Sequence, residues 1–69
     1  MRTDMDKLRG KIAERRLTQE EVAARIGIDA STFSRKMKAN GLAFTVGQMH
    51  KIVDTLNISG EEAKQIFLQ

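Results

Sequence analysis

The sequence contains neither cysteine nor proline, and its longest apolar runs are short. Without cysteine, neither a disulfide framework nor a thiolate metal site can stabilise the fold, which fits a reducing compartment. No run approaches the roughly 20 apolar residues of a membrane span, and the N-terminal MRTDMDKLRGK lacks the apolar core of a signal peptide. We therefore expect a soluble cytoplasmic protein, and a length of 69 residues predicts one domain, residues 1–69.

Residues for catalysis are equally scarce. His50 is the only histidine, and with Asp54 four residues later it would still leave a zinc site short of ligands. The acidic pairs at 20–21 and 61–62 fall in predicted first helical turns, where capping and the helix dipole account for them. The sequence has no glycine-rich phosphate loop. We expect no enzymatic activity, metal, cofactor or small-molecule ligand.

The most informative segment is residues 17–38, LTQEEVAARIGIDASTFSRKMK. Thr18 and Glu21 form a capping box, which predicts that a helix starts at Thr18. Gly27 supplies the left-handed conformation that ends a helix, and Asp29 can cap a second helix two residues later. Two short helices joined by a turn of about three residues are typical of a helix-turn-helix motif.

The second helix of this motif has two distinct faces. At about 100° per residue, Phe33 and Met37 point to one side, whereas Ser31, Arg35 and Lys38 point to the opposite side. A small polar residue at the start and a cation further along suit the DNA major groove, where arginine can donate two hydrogen bonds to guanine. An ordinary solvated face is the alternative interpretation, but the two caps and the tight turn favour DNA recognition.

Helical spacing and further caps predict three more helices. The first spans about Asp4 to Arg16, and Asn40-Gly41 ends the recognition helix. A capping box at Thr45 begins the fourth helix, which Asn57 closes, and a fifth runs from Ser59 to Phe67. The sequence thus predicts an all-α, compact five-helix domain. The inner face of the fourth helix is expected to contain Val46, Met49, Val53 and Leu56, joined by Ile52.

Charge is distributed unevenly. The net charge of +3 is modest, but no acid occurs between Asp29 and Asp54. A basic surface centred on the recognition helix is what phosphate contact requires. The cations within that interval are Arg35, Lys36, Lys38 and Lys51.

The segment TQEEVAARIGIDASTFSRKM is similar to the helix-turn-helix of the Cro and repressor proteins of lambdoid phages, within the Xre-type group of bacterial regulators. The following NGLAFTVGQMHKIVDTLNISGEEAKQIF resembles small Cro-like regulators of phages and prophages of Gram-positive bacteria. The resemblance extends from about Leu8 to Phe67 and implies a lambda-repressor-like fold. It also implies a repressor that binds an operator in double-stranded DNA as a homodimer, formed either before binding or only on the DNA.

The resemblance implies two sets of DNA contacts. Arg35 would carry most of the direct readout, since Ala30 can offer only a methyl contact to thymine. Base-reading side chains fall on Ala30, Ser31, Ser34 and Arg35, with Lys38 able to assist. Phosphate contacts fall on Thr18, Gln19, Thr32, Lys36, Lys38 and Asn40.

Two features depart from the family pattern. Ile12 and Met37 occupy the positions of a buried Arg-Glu pair found in many members, and Lys36 stands where an apolar residue is usual.

For the dimer interface we expect Leu68, with Phe67 shared between core and interface and Leu42 as a competing candidate. The alternative function is an antitoxin or anti-repressor that uses the same fold to bind a protein.

Overall fold

The computed structural model describes residues 3–41 and 43–67, which form five α-helices and no strand. This confirms the predicted all-α fold. Leu42 and Leu68, two of the predicted interface residues, lie outside the described residues. The helices are α1 (Met5–Glu14), α2 (Gln19–Ile26), α3 (Ala30–Lys38), α4 (Val46–Leu56) and α5 (Gly60–Phe67).

The helices begin at the predicted caps. Both capping boxes are present: Thr18 Oγ1 accepts from the Glu21 N–H at 3.1 Å, and Thr45 Oγ1 accepts from the Gln48 N–H at 3.0 Å. Asp29 caps α3 by accepting from the Ser31 N–H at 3.0 Å. Each side chain satisfies a backbone donor that has no intrahelical partner, so these starts are fixed by local sequence.

The first helix ends earlier than predicted. Arg15 is the cap of α1, and Arg16 has a left-handed φ of 58°. The Arg16 N–H donates to the Ala13 carbonyl at 2.9 Å, and the Leu17 N–H donates to the Ile12 carbonyl at 3.1 Å. This pair of bonds is a Schellman motif, here without its usual glycine, and it turns the chain directly into the cap of α2.

The same motif ends α2 and α4 at the residues that the sequence predicted. Gly27 has a φ of 82° and Asn57 has a φ of 51°. The next residue in each case donates back across the turn, Ile28 to the Ala23 carbonyl at 3.0 Å and Ile58 to the Val53 carbonyl at 3.3 Å.

The core is entirely apolar over the described residues, which include no buried polar or charged side chain. Phe33 lies at its centre with none of its surface exposed, and its ring centroid is 5.4 Å from that of Phe44. Ile12 and Met37 are 3% and 2% exposed and belong to the same cluster. The two positions that hold a buried ion pair in many relatives therefore carry apolar side chains within this apolar core.

Polar contacts join the two ends of the chain. The Asp4 N–H donates to the Ile66 carbonyl at 2.6 Å, and the Lys11 ammonium pairs with the Glu62 carboxylate. The hydrogen bond from Lys11, followed by that from the Ser59 N–H, lowers the pKa of Glu62. These contacts hold α1 against α5.

One predicted core position is wrong. Val46 is 69% exposed, although it was expected on the inner face of α4. Helical spacing places Val46 with Met49 and Val53, but α5 does not close over this face; the two helices enclose an open apolar groove of about 410 Å³. The groove is lined by Val46, Met49, His50, Val53, Gly60, Ala63, Lys64 and Phe67.

Candidate nucleic-acid interface

Helix α3 exposes the face that the sequence predicted. Phe33 and Met37 are buried, whereas Ser31, Arg35 and Lys38 are exposed. Of the other predicted base-reading residues, Ala30 is exposed and Ser34 is half-buried. The burial of two large apolar side chains fixes the rotation of the helix about its own axis, and therefore fixes which side chains face outward.

The start of α3 contains a hydrogen-bonded pair. Besides the backbone N–H of Ser31, the Ser31 hydroxyl also contacts the Oδ2 atom of Asp29. The hydrogen bonds from Ser31, the hydroxyl first and then the N–H, lower the pKa of Asp29. The Thr32 N–H and the charge of Arg35 act in the same direction. Asp29 is therefore ionised at neutral pH.

Arg35 is held by its own helix. One of its terminal nitrogens donates to Thr32 Oγ1 at 3.3 Å, one turn earlier. This hydrogen bond restricts the conformations of the Arg35 side chain. Because a guanidinium carries five N–H donors in a fixed plane, other donors remain available for another partner. Thr32, predicted as a phosphate contact, thus positions Arg35 in this structure.

Lys36 points to the loop after α3. Its Nζ atom donates to the Ala43 carbonyl at 2.7 Å and lies 5.9 Å from the centroid of the Phe44 ring. Both contacts bind the loop to the helix. The bond to Ala43 uses one of the three N–H donors of the ammonium, which leaves two for another acceptor. The predicted contact of Lys36 with phosphate therefore stays a prediction.

Lys38, Asn40 and Lys51 are exposed, and the first two follow Arg35 at the end of α3 and just after it. Asn40 adopts a left-handed φ of 60° immediately after the cap of α3. The described residues between Asp29 and Asp54 contain no acid to offset these cations. The end of α3 and the start of the following loop can therefore attract an anionic partner.

The start of α2 offers donors of a different kind. Thr18 is exposed and Gln19 is half-buried. The Thr18 oxygen accepts from Glu21, so its hydroxyl proton is available to donate outward. The N–H groups in a first helical turn have no intrahelical acceptor and point along the axis, an arrangement that favours an anion.

Three of these contacts were not predicted from the sequence, and the hydrogen bond from Arg35 to Thr32 is one of them. Asp29 was predicted only as a cap, although the pair at Asp29 and Ser31 was visible as a short Asp-x-Ser spacing. The bond from Lys36 to Ala43 could not be predicted, because that bond depends on the path of the loop. No group of three or more potential metal ligands occurs in the described ranges, and no helix within them is long and apolar enough to cross a membrane.

Two short helices that each bury one apolar face and are joined by a tight turn, the second with a basic outer face, define a helix-turn-helix DNA-binding domain. Residues 7–63 match the family model of the Cro/C1-type HTH DNA-binding domain, and the chain belongs to this family. Members of this family are DNA-binding regulators. Searches of curated proteins and of solved structures gave no match.

Proposed function

We propose that this protein is a transcriptional repressor of the phage or prophage Cro-like type, a single domain over residues 1–69 that acts in the cytoplasm. It recognises a specific operator by inserting α3 into the major groove of double-stranded DNA. The observation that carries this proposal is the exposed face of α3, on which Arg35 is oriented by Thr32 and lies within a stretch of sequence, residues 30–53, that contains no acid. Repression follows from occupancy, because a bound domain of this kind blocks polymerase.

Each contact set has a role in this complex. Arg35 donates to guanine O6 and N7, while Ser31, Ser34 and the methyl of Ala30 read neighbouring base edges. Backbone phosphates are bound along two edges of the motif and set the register of α3 in the groove. The phosphate-binding residues are Thr18, Gln19, Thr32, Lys36, Lys38 and Asn40.

The operator is proposed to be two-fold symmetric and bound by a homodimer. The nine residues of α3 span about 13 Å, enough for only a few base pairs. Two copies would place their recognition helices about 34–36 Å apart, on half-sites one turn of DNA apart. The apolar groove between α4 and α5 supports an interface there, because it exposes Val46 and reaches Phe67 at the end of α5. Leu68 and Leu42 remain the other proposed interface residues.

Selection of bound sequences from a random duplex library tests the DNA-binding proposal. We expect one enriched motif that contains guanine. Arg35→Ala should then cost about 1–3 kcal/mol on that motif and little on scrambled DNA. Equal losses on both would assign Arg35 to the DNA backbone. If no sequence were enriched, the domain would instead fit the protein-binding alternative, an antitoxin or anti-repressor.

Sedimentation with and without the selected DNA tests the dimer. The interface is small, so we expect monomers alone and two copies on DNA. Val46→Ser should reduce cooperativity, since Val46 is exposed and lines the groove. The matched control is Ala13→Ser, an exposed alanine of α1 that does not line the groove. A single copy on an asymmetric site would refute the dimer.

A further inference from the structure

The hydrogen bond between Ser31 and Asp29 determines how Ser31 can bind a base. A hydroxyl has one proton to donate and two lone pairs to accept with. Both the hydroxyl and the backbone N–H of Ser31 contact one carboxylate oxygen, Asp29 Oδ2. The question is which group supplies the proton between the two side chains.

That proton belongs to Ser31. Asp29 also accepts from the N–H groups of Ser31 and Thr32, and Arg35 lies close enough to stabilise its negative charge. These contacts favour the ionised carboxylate, which carries no proton and can only accept. The Ser31 hydroxyl is therefore the donor, and only its lone pairs remain for a partner outside the helix.

We propose that Asp29 positions Ser31 as a hydrogen-bond acceptor in the major groove, so that Ser31 selects an adenine or cytosine on the strand that it faces. This inference rests on the proposed function, because it requires α3 to lie in the major groove. Adenine N6 and cytosine N4 present amines there, whereas guanine O6 and thymine O4 present acceptors at the corresponding positions. A serine hydroxyl can ordinarily bond to either class of base. Because the hydroxyl proton of Ser31 is donated to the carboxylate of Asp29, Ser31 can bond only to an amine.

The two predicted base-reading residues on this face, Arg35 and Ser31, would then require opposite hydrogen-bonding groups on the DNA bases. Arg35 has only donors and requires an acceptor base such as guanine, whereas Ser31 has only lone pairs and requires an amine. The two residues are four positions apart, which places them about 6 Å apart along the helix axis. A half-site should therefore contain a guanine near a position restricted to adenine or cytosine.

Library selection with matched variants tests this assignment. Comparing the wild-type protein with Ser31→Ala identifies the base position that Ser31 reads. Asp29→Asn keeps the cap of α3, since asparagine caps as well as aspartate, but its amide can donate to the serine and release the hydroxyl proton. Asp4→Asn is the matched control, because it removes the same charge from the cap of another helix, α1. Circular dichroism verifies that every variant is folded.

We expect the wild-type protein and Asp4→Asn to restrict the position that changes in Ser31→Ala to adenine or cytosine on one strand, and therefore to thymine or guanine on the other. Asp29→Asn should accept all four bases there. Replacing the selected base with purine or 2-pyrimidinone, which lack the exocyclic amine, should weaken wild-type binding about two- to tenfold and leave Ser31→Ala unaffected.

Other outcomes overturn the inference. Each selected pair has an amine on one strand and a carbonyl on the other, so the amine-free bases decide between them: unchanged wild-type binding to the purine or 2-pyrimidinone duplex would show that Ser31 does not accept from the amine. An identical motif for wild type and Ser31→Ala would show that Ser31 reads no base, while leaving the proposed function intact. If the wild-type protein enriched no sequence at all, the proposed function would fail, and this inference with it.

Discussion

Replacing Met37 by glutamate is the most direct test of how α3 is seated on the core. Met37 is 2% exposed, lies in one cluster with Ile12 and Phe33, and has no buried polar or charged side chain among the described residues to pair with. Met37→Glu would therefore place a carboxylate in an apolar environment without a partner. An unpaired buried charge typically costs about 3–5 kcal/mol, so we expect a loss of at least about 3 kcal/mol near neutral pH.

The loss should depend on pH, because burial raises the folded-state pKa of an acid above its unfolded value. The unfolded chain ionises near pH 4.3, whereas the folded chain stays protonated to higher pH. Stability therefore falls as pH rises through that window and recovers on acidification. A penalty of about 3 kcal/mol corresponds to a rise of about two pKa units, which places the introduced carboxyl near 6.5.

Urea unfolding followed by circular dichroism at pH 5 and pH 7.5 measures this difference. Met37→Gln is the matched control, because it has the same shape as the glutamate variant but cannot ionise; its stability difference from wild type should not change between the two pH values. A stability of the domain of roughly 3–10 kcal/mol means that the glutamate variant could be unfolded at pH 7.5 and refold at pH 5. Equal stability of the glutamate and glutamine variants at pH 7.5 would show that position 37 is accessible to water and that α3 is seated differently.

Three further changes test other contacts. Glu62→Gln should destabilise the domain at pH 7 but not in acid, once Glu62 is protonated. The hydrogen bond from Lys11 lowers the pKa of Glu62, so its stabilising effect is present above the unfolded pKa and is lost as pH falls through the folded pKa; urea midpoints measured over an acid series would show this. Gly41→Ala should cost more than Gly27→Ala. Both glycines have positive φ, which costs about 1–2 kcal/mol for alanine. Only at Gly41 would the new Cβ atom also lie 2.7 Å from the terminal methyl of Met5. Thermal unfolding compares the two variants, and equal losses of stability would contradict the clash. Lys38→Ala should weaken binding to selected and scrambled DNA alike and reduce the slope of log affinity against log salt by about one, whereas an unchanged slope would remove Lys38 from the phosphate contacts.

The helix starts could be predicted because each depends on residues only two or three positions apart. Thr18 with Glu21 and Thr45 with Gln48 form their bonds within a single turn, so no knowledge of the rest of the fold is needed. The ends of α2 and α4 could be predicted for the same reason, because Gly27 and Asn57 are residues that readily adopt a positive φ. The end of α1 was predicted too late because the residue that adopts the left-handed conformation there is Arg16. Arginine, unlike glycine or asparagine, does not indicate a helix end in the sequence.

The sequence was not sufficient to predict burial or orientation where a side chain depends on a distant element. Val46 has the spacing of a core residue, and whether it is buried depends on how far α5 reaches over α4. Lys36 has the charge of a phosphate contact, but its orientation depends on the loop that brings the Ala43 carbonyl near it. The predicted contacts of Arg35 with guanine and of Phe67 with a second subunit involve partners that the chain alone does not include, so they remain predictions.

The cations of α3 differ in what constrains them, and this difference bears on recognition. Arg35 is tied to Thr32 within the helix, and Lys36 is tied to the carbonyl of Ala43. A side chain that is already ordered loses less conformational entropy when it binds, so Arg35 suits base reading, which requires a defined direction. Lys38 is exposed and suits a phosphate, which accepts hydrogen bonds from many directions. We therefore expect specificity to depend on the cap and the first six residues of α3, where Asp29 orders Ser31 and Thr32 orders Arg35. The charge that follows should mainly set affinity and its dependence on salt.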